Sequence, residues 1–525
     1  MSSIGAGLRL VRAGWILLRE GAMGAVPADG LSGFSRFAYR FARAFERRGA
    51  ARRNRSERLS DAVARLGPSY VKLGQFLATR PDVVGAPVAN DLAKLQDRMA
   101  FFPVPSAVRA VEDSLGRPMD DLFAFFGPPV AAASIAQVHP AGIREADGGT
   151  RRVAVKVIRP GVREQFRRDL ESYFLAARSL ERLIPSTRRL KPVKVTGLLA
   201  QTTRIEMDLR LEGAALSELG ENTRDDPGFR VPRVDWERTG RDAVTMEWID
   251  GVKMSNTSGL VEAGHDLKRL AASLIQSFLR HTLRDGFFHA DMHPGNLFVE
   301  GDGTIVAVDL GIAGRLGKKE RRFLAEILYG FIQRDYLRVA QVHFEAGYVP
   351  RRHDVAAFAQ AIRAIGEPIH GQSAETISMA RLLTLLFEVT ELFDMAARPE
   401  LVLLQKTMVV VEGVARSLDP GFNMWKAAEP VVGDWIRGNL GPRGFLSDLE
   451  EGVRALATFA AQAPELLARA ERISAELERA AEKGIRIDQD TVGRAGRSGA
   501  GVAFATMLAL WAIAAALVWI GAKLI

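Results

Sequence analysis

Asp291 and Asn296 stand five positions apart in His289-Ala290-Asp291-Met292-His293-Pro294-Gly295-Asn296, and eighteen residues beyond Asp291 comes Asp309, opening Asp309-Leu310-Gly311. Between them, Asn296-Leu297-Phe298-Val299 reads as a strand and Gly301-Asp302-Gly303 as a turn. Thr304-Ile305-Val306-Ala307-Val308 reads as the returning strand. Such a hairpin brings Asn296 and Asp309 back to one end, as two oxygen ligands of a single cation require. Asp291 stays outside the hairpin as a carboxylate that can orient a nucleophile. An Asp-x-x-x-x-Asn alone also arises as a cap or a loop. The second Asp, the Gly pair in the turn and the two strands narrow the choice to a fold that gathers distant acids around phosphate.

A cation for that phosphate lies upstream, in Val153-Ala154-Val155-Lys156-Val157. The alternation is that of a strand, and the residues match the Val-Ala-Ile-Lys signature of kinase strand three, whose lysine is held by a helical Glu. An exposed strand lysine would give the same local pattern. Two Glu candidates follow, Glu206 and Glu212, in Arg204-Ile205-Glu206-Met207-Asp208-Leu209-Arg210-Leu211-Glu212. From Pro160 to Gln201 the pattern is largely helical, longer than an ordinary kinase has there. Ala243-Val244-Thr245-Met246-Glu247-Trp248-Ile249 is a strand running into Asp250-Gly251, suited to joining two lobes and receiving adenine on its backbone near Glu247. Where a glycine-rich phosphate loop belongs, the chain reads Ala131-Ala132-Ala133-Ser134-Ile135-Ala136-Gln137-Val138-His139. Alanines forbid some conformations that glycine allows and stiffen the cradle, which predicts altered nucleotide preference or slower phosphoryl transfer.

Lys72-Leu73-Gly74-Gln75, the Ala131–His139 loop, Val153–Lys156, Glu206-x-Asp208, Asp291–Asn296 and Asp309-Leu310-Gly311 occur in the order of the UbiB family of atypical kinase-like proteins of ubiquinone biosynthesis, and the chain resembles that family from Lys72 to Asp309. The resemblance implies ATP (or ADP) and Mg²⁺ as cofactors. It implies that Lys156, paired with Glu212, contacts phosphate, that Asp291 is the catalytic Asp, and that Asn296 and Asp309 hold the metal. Lys72 and Gln75 would form a lid over the site, meeting Glu206 and Asp208 where a peptide substrate would dock. The Ala-rich loop of the family favours ATP hydrolysis over protein phosphorylation, and some relatives carry Gly at the position of Ala136. The implied fold is α+β, a two-lobed protein-kinase-like fold with an N-terminal helical KxGQ extension, a large helical C-terminal region and a C-terminal transmembrane helix. The expected divisions are a basic arm (1–55), the extension (56–120), a small lobe with a helical insertion (121–250), a large, mainly helical lobe (251–487), a linker (488–500) and the span (501–523).

The residues independently argue against ordinary protein kinase activity. Position 290 is Ala, so the Arg that reads an activation-loop phosphate is absent. After Asp309-Leu310-Gly311 a helix is expected within a few residues, from Gly317-Lys318-Lys319 onward through Phe323, Leu324, Ile327 and Leu328, with no Ala-Pro-Glu and little room for a peptide platform. Cys is absent, which excludes disulfides, Cys-ligated zinc and a thiol nucleophile. His265, His281, His343 and His353 are scattered without metal-ligand spacing and read as core or surface residues.

Charge and hydropathy point to a membrane. Of the net +9, nearly the whole excess lies in residues 1–60, with twelve Arg, no Lys and four acids. There, Leu8–Arg19 interleaves Arg with apolar residues, and Phe34, Phe37, Phe41 and Phe45 recur among Arg36, Arg40, Arg43 and Arg47. An interfacial helix on anionic lipid is one reading. A solvated Arg-rich helix packed on the domain is another, and a transit peptide looks similar. No nucleic-acid fold accompanies the arm, so nucleic acid is not expected as a partner. Val502–Ala522 is apolar or small apart from Thr506, with Arg494 and Arg497 before it and Lys523 after. Roughly twenty such residues span a bilayer, and the flanking charge puts the catalytic domain in the cytoplasm, at a bacterial inner membrane. Helical patterns fill Phe323–Phe331, Ala380–Phe393, Leu401–Ala415 and Gly452–Ala480. Three functions fit: a membrane-bound ATPase of the UbiB type, which the resemblance implies makes isoprenoid-phenol lipid intermediates available to ubiquinone-biosynthesis enzymes, a phosphotransferase on a small molecule, lipid or protein regulator, and a nucleotide-binding scaffold. A homodimer is left open.

Overall fold

Alternation decides the small lobe. The computed structural model describes residues 3–22, 45–47, 55–78, 84, 88, 91–92, 99–183, 188, 190–371, 389, 392–395 and 399–439. Strand β4 (Thr150–Ile158) is the centre of an antiparallel sheet with β1 (Phe125–Phe126), β2 (Ala131–Ala132), β3 (Ala136–Arg144) and β6 (Ala243–Glu247), in the order β1-β3-β4-β6 with β2 also on β3. Val153, Val155 and Val157 are fully buried against Ala107 and Val111 of helix α4 (Val104–Leu115). With a side-chain period of two, Lys156 must project from the other face.

That other face packs on the insertion. Helices α5 (Val162–Leu183), α6 (Pro192–Glu206) and α7 (Leu209–Asn222) separate β4 from β6. Leu209, Leu216 and Leu219 of α7 are fully buried. Glu212 stands three and four residues from the first two, so helical geometry carries it inward with them. The Lys-x-Gly-Gln segment lies on α3 (Pro68–Ala78), which with α2 (Arg55–Leu66) and α1 (Ser3–Arg19) packs around α5 and α6. Ala6, Leu10 and Ala13 of α1 are buried, and Arg9 donates to Ser172 Oγ (2.9 Å) and Glu171 Oε2 (3.2 Å) of α5. This part of the basic arm therefore packs on the domain, while its outer face leaves Ile4, Leu8, Val11 and Trp15 exposed.

The large lobe is built on α8 (Leu267–Arg280), whose Leu270, Leu274 and Phe278 are buried. A π-turn (His281–Asp285) and Gly286, at φ +68°, swing the chain into β8 (Phe287–His289). A Cβ on Gly286 would lie 2.5 Å from the Leu316 carbonyl, so only glycine fits. The hairpin β9 (Leu297–Val299) and β10 (Ile305–Ala307) forms as expected, pairing Ile305 with Val299 and Ala307 with Leu297. Its sheet runs β5-β10-β9-β7, with β5 (Phe229–Arg230) and β7 (Val252–Lys253). Thus the chain enters the large-lobe sheet at β5 before returning to the small lobe for β6. A boundary drawn at residue 250 misses this excursion, because two residues are too few to show a strand periodicity. Strand β11 (Ala313–Arg315) pairs with β8 directly after Asp309. Helix α9 (Lys318–Gln333) begins where the apolar pattern put it.

Helices α10 (Tyr336–Glu345) and α11 (Val355–Gly371) form a side cluster around Tyr336 and Phe358, and α12 (Pro399–Leu418) and α13 (Met424–Asn439) pack on α8. The Phe34–Phe41 stretch, nearly all of the Ala380–Phe393 pattern, the Gly452–Ala480 run, the linker and the apolar run at 501–523 lie outside the described residues. Among the described residues no helix is long and apolar enough to cross a membrane.

A buried ionic cluster fixes the π-turn. Asp226 accepts from His281 Nε2 at 3.1 Å and from Arg284 Nη1 at 2.6 Å, and His281 packs on Phe229. Burial pushes the Asp226 carboxyl up, but the His281 and Arg284 hydrogen bonds outweigh it and hold the group well below the usual carboxylate range. The folded state therefore takes up this proton less readily than the unfolded chain. The cluster stabilises above the ordinary carboxylate pKa, and that stabilisation is lost as pH falls below it. Asp226→Asn should lower Tm at neutral pH and flatten the acid limb of a Tm–pH curve. An acid limb identical to the wild type's would rule out this linkage.

Candidate nucleotide and metal site

The parts read from separate stretches of sequence meet in one cleft. Lys156 Nζ donates to Glu212 Oε1 at 2.8 Å and to Asp309 Oδ1 at 2.7 Å. Of the two candidate acids, Glu212 is therefore the partner of Lys156. The lysine and Glu212 side chains are 9% and 5% exposed, whereas Asp309 is 38% exposed and opens toward solvent. Burial alone would lower the Lys156 pKa, but its two carboxylates outweigh that and raise it. Burial tends to raise Asp309, yet the adjacent ammonium holds it down to about 2. Glu212 is pushed up to about 7, because it is fully buried and shares a single ammonium with a second carboxylate.

Asp309 adopts φ +63°, in the left-handed region. Asp tolerates this conformation better than most residues, at a cost on the order of 1 kcal/mol, and such strain gathers at functional sites. Its Oδ1 also accepts from Gly311 N–H at 3.4 Å. Across the hairpin, Val308 N–H donates to the Asn296 carbonyl at 2.9 Å, which holds Asn296 beside the Asp309 strand end. The Asn296 amide nitrogen donates to the Asp291 carbonyl at 3.2 Å, leaving its amide oxygen as the donor atom for a cation. Two oxygen ligands with the rest of the shell from phosphate and water suit Mg²⁺. Among the described residues no three His, Cys, Asp or Glu gather as a self-sufficient metal site.

The loop over the cleft is a tight hairpin. Ala131 pairs with Val138 and Ala132 with Gln137, and Ala133 N–H donates to the Ala136 carbonyl at 2.8 Å, leaving Ser134-Ile135 at the tip. None of these residues has positive φ. In the two segments whose backbone is expected at the nucleotide, two side chains point elsewhere. Gln137 is fully buried, accepting from Phe102 N–H (3.1 Å) and donating to the Phe102 carbonyl (3.2 Å), so it anchors the start of α4 to the sheet. The Glu247 carboxylate is taken by Arg230, at 3.0 Å to both nitrogens, and Glu247 N–H donates to the Arg233 carbonyl. Only the Glu247 carbonyl is left to meet a base.

The lid residues divide in the same way. Lys72 Nζ lies 2.5 Å from Glu206 Oε2, in a pair 15% and 6% exposed. Gln75 lies three residues further along α3, half-buried. Asp208 does not join them. It caps α7 by accepting from Arg210 N–H, and its carboxylate is paired with the Arg210 guanidinium (2.7 Å). An Asp just before a helix satisfies orphan N–H groups, a stronger local demand than a distant lysine makes.

Arg230 was not legible as a site residue. It binds Glu247 of the interlobe strand and Glu300 at the end of β9 (2.9 and 2.7 Å), with partners 17 and 70 residues away in sequence. A parallel pair of Arg–carboxylate forks is geometrically specific, but nothing local marks it.

The ABC1 atypical kinase-like domain family matches residues 94–343, and the UbiB helical domain family matches residues 362–423. Curated relatives named Probable protein kinase UbiB are similar over most of their length. That of Marinobacter nauticus is 39% identical over 418 residues, covering 79% of this chain and 75% of the relative. That of Pseudomonas putida is 38% identical over 421 residues, covering 79% and 77%. A solved complex of Rv3197 with erythromycin from Mycobacterium tuberculosis is 25% identical, covering 72% of this chain and 95% of that one, at a TM-score of 0.47.

Breaking the Lys72–Glu206 pair tests how far the extension is coupled to the insertion. Lys72→Met should destabilise by about 3 kcal/mol, because it leaves a buried carboxylate short of its cation. The Lys72→Met/Glu206→Gln double variant should recover part of that loss. Strict additivity of the two single losses in urea unfolding would show that the pair is not coupled.

Proposed function

The chain belongs to the UbiB family of ABC1 atypical kinase-like proteins, and on that premise we propose that it binds Mg-ATP between its lobes and hydrolyses it at a membrane surface in support of ubiquinone biosynthesis. The observation that carries this reading is the Lys156 ammonium held between Glu212 and Asp309 at 2.8 and 2.7 Å. Lys156 offers fixed positive charge to phosphate oxygens, and Glu212 keeps it in place. Asp309 and the Asn296 oxygen offer two ligands to Mg²⁺, which when bound would neutralise charge developing on the transferred phosphoryl group. Asp291 orients the acceptor, and hydrolysis needs only water there.

Several features favour hydrolysis over protein phosphorylation. Ala290 replaces the phosphate-reading Arg. Strand β11 and helix α9 follow Asp309 at once, which leaves little chain for a peptide platform. The Ser134-Ile135 tip lacks glycine, so its amides cannot follow phosphates through conformations at positive φ. Lys72, Gln75 and Glu206 belong in this reading to a lid that keeps macromolecular acceptors out. The exposed stripe Ile4, Leu8, Val11 and Trp15 on α1, flanked by Arg12 and Arg19, supports contact with anionic lipid. The apolar run at 501–523 would anchor the chain at a bacterial inner membrane with the catalytic domain cytoplasmic. Isoprenoid-phenol intermediates and the enzymes that use them are the clients this reading names.

Purified full-length protein should consume ATP, faster with anionic liposomes and a phenol-headed isoprenoid mimic. Phosphate release without a labelled acceptor is the expected result. A labelled acceptor would make it a phosphotransferase, and no turnover under any condition would leave a nucleotide-binding scaffold. Asp309→Asn should weaken Mg-dependent nucleotide binding at least tenfold, about 1.4 kcal/mol, and undiminished affinity by calorimetry would discard the metal assignment. Ala133→Gly should shift the ratio of ATP to ADP affinities, and an unchanged ratio would remove the loop argument.

A further inference from the structure

The peptide unit that precedes Asp291 is clamped at both ends. Its N–H, on Asp291, donates to His289 Nδ1 at 3.2 Å. Its carbonyl, on Ala290, accepts from the Thr407 hydroxyl at 3.0 Å. Thr407 is fully buried on α12, 117 residues further along the chain. Because the peptide group is planar, fixing its oxygen and its hydrogen together fixes the torsions on either side. Those torsions set where the Asp291 side chain leaves the backbone. The remaining bonds of the loop are local: Ala290 N–H donates to the Ile312 carbonyl at 3.0 Å, and Asn296 holds the Asp291 carbonyl. Among the described residues, Thr407 alone reaches this peptide unit from the C-terminal helices.

The hydroxyl has an alternative acceptor, the Leu403 carbonyl one turn back in its own helix, at 2.9 Å. A threonine in mid-helix often makes only that bond. Here the same hydrogen also faces a buried carbonyl in the catalytic loop, and no other donor to the Ala290 oxygen is present among the described residues. Leaving such a carbonyl unmatched is costly.

We propose that Thr407 is a positioning residue for Asp291, acting through the Ala290–Asp291 peptide unit so that the C-terminal helices set the aim of the catalytic carboxylate. This rests on the reading of Asp291 as the residue that orients the acceptor. A reacting group displaced by about 1 Å loses on the order of a hundredfold in rate without losing ligand affinity.

The test uses full-length protein and ATP consumption, with Thr407→Val, Thr407→Ser and Asp291→Asn measured side by side. Thr407→Val keeps the side-chain shape and removes the donor. It should lower kcat roughly tenfold to a hundredfold, with Mg-nucleotide affinity within about twofold of wild type. Thr407→Ser keeps the donor and should restore kcat to within a few-fold. A purely structural role would lower Tm in Thr407→Val and leave kcat per folded molecule unchanged, which overturns the inference. If Thr407→Val does not fold, Thr407→Ala against Thr407→Ser makes the same comparison. Asp291→Asn separates the two levels: retained turnover there sinks the Asp291 reading, whereas lost turnover there with a normal Thr407→Val sinks only the positioning role. Hydrogen exchange of the Asp291 amide reports without any activity. It should quicken in Thr407→Val, and an unchanged rate overturns the proposal.

Discussion

The Lys156 ammonium is almost wholly removed from water and is shared by two carboxylates, Glu212 on a helix of the insertion and Asp309 on the large lobe. An isolated charge so placed would be prohibitively costly, so strand, helix and hairpin must all be in register for the arrangement to exist. One positive charge against two negatives leaves the cleft with a residual negative potential. Asn296 is held at the Asp309 end of the hairpin by Val308 N–H, and its amide nitrogen bonds the Asp291 carbonyl. Burial above all, with the second carboxylate, pushes Glu212 up, while the ammonium holds Asp309 below the ordinary carboxylate range.

From that centre, short mechanical links run outward. Glu212 lies six residues beyond Glu206, which holds Lys72, so the extension and Lys156 are joined through the turn between α6 and α7. Arg230 ties the interlobe strand at Glu247 to the hairpin at Glu300. Gln137 ties the loop strand to Phe102. Arg230 and Gln137 each bond through two atoms, a geometry that resists rotation better than apolar contact does. The small lobe, the extension and the β9–β10 hairpin are thereby held as one frame.

Much of this was legible from local pattern. The alternation around Lys156, the hairpin between Asn296 and Asp309, and the helix following Gly317 were all readable because strand, turn and helix periodicities act over a few residues. The family membership followed from the order of six short motifs. Asp208 was misjudged, and the side chains of Gln137 and Glu247 turn away from the segments' expected role, for a common reason. A motif names the position, but the hydrogen-bond capacity of each side chain was already claimed by Phe102, Arg230 and Arg210. The two-residue strand β5 and the pairing of β8 with β11 carried no periodicity to read.

What the chain determined by itself was which residues face inward and which chemistry they bring: an ammonium, three carboxylic acids and an amide in a fixed order, with alanine where glycine or arginine would serve a protein kinase. What tertiary structure decided was the choice of partner. Glu212 over Glu206 for Lys156, Arg230 for Glu247 and Thr407 for Ala290 are contacts between groups 17 to 117 residues apart. Local periodicity orients a side chain toward the core. Which neighbour it meets there depends on how whole helices and sheets pack, and no short stretch of sequence contains that.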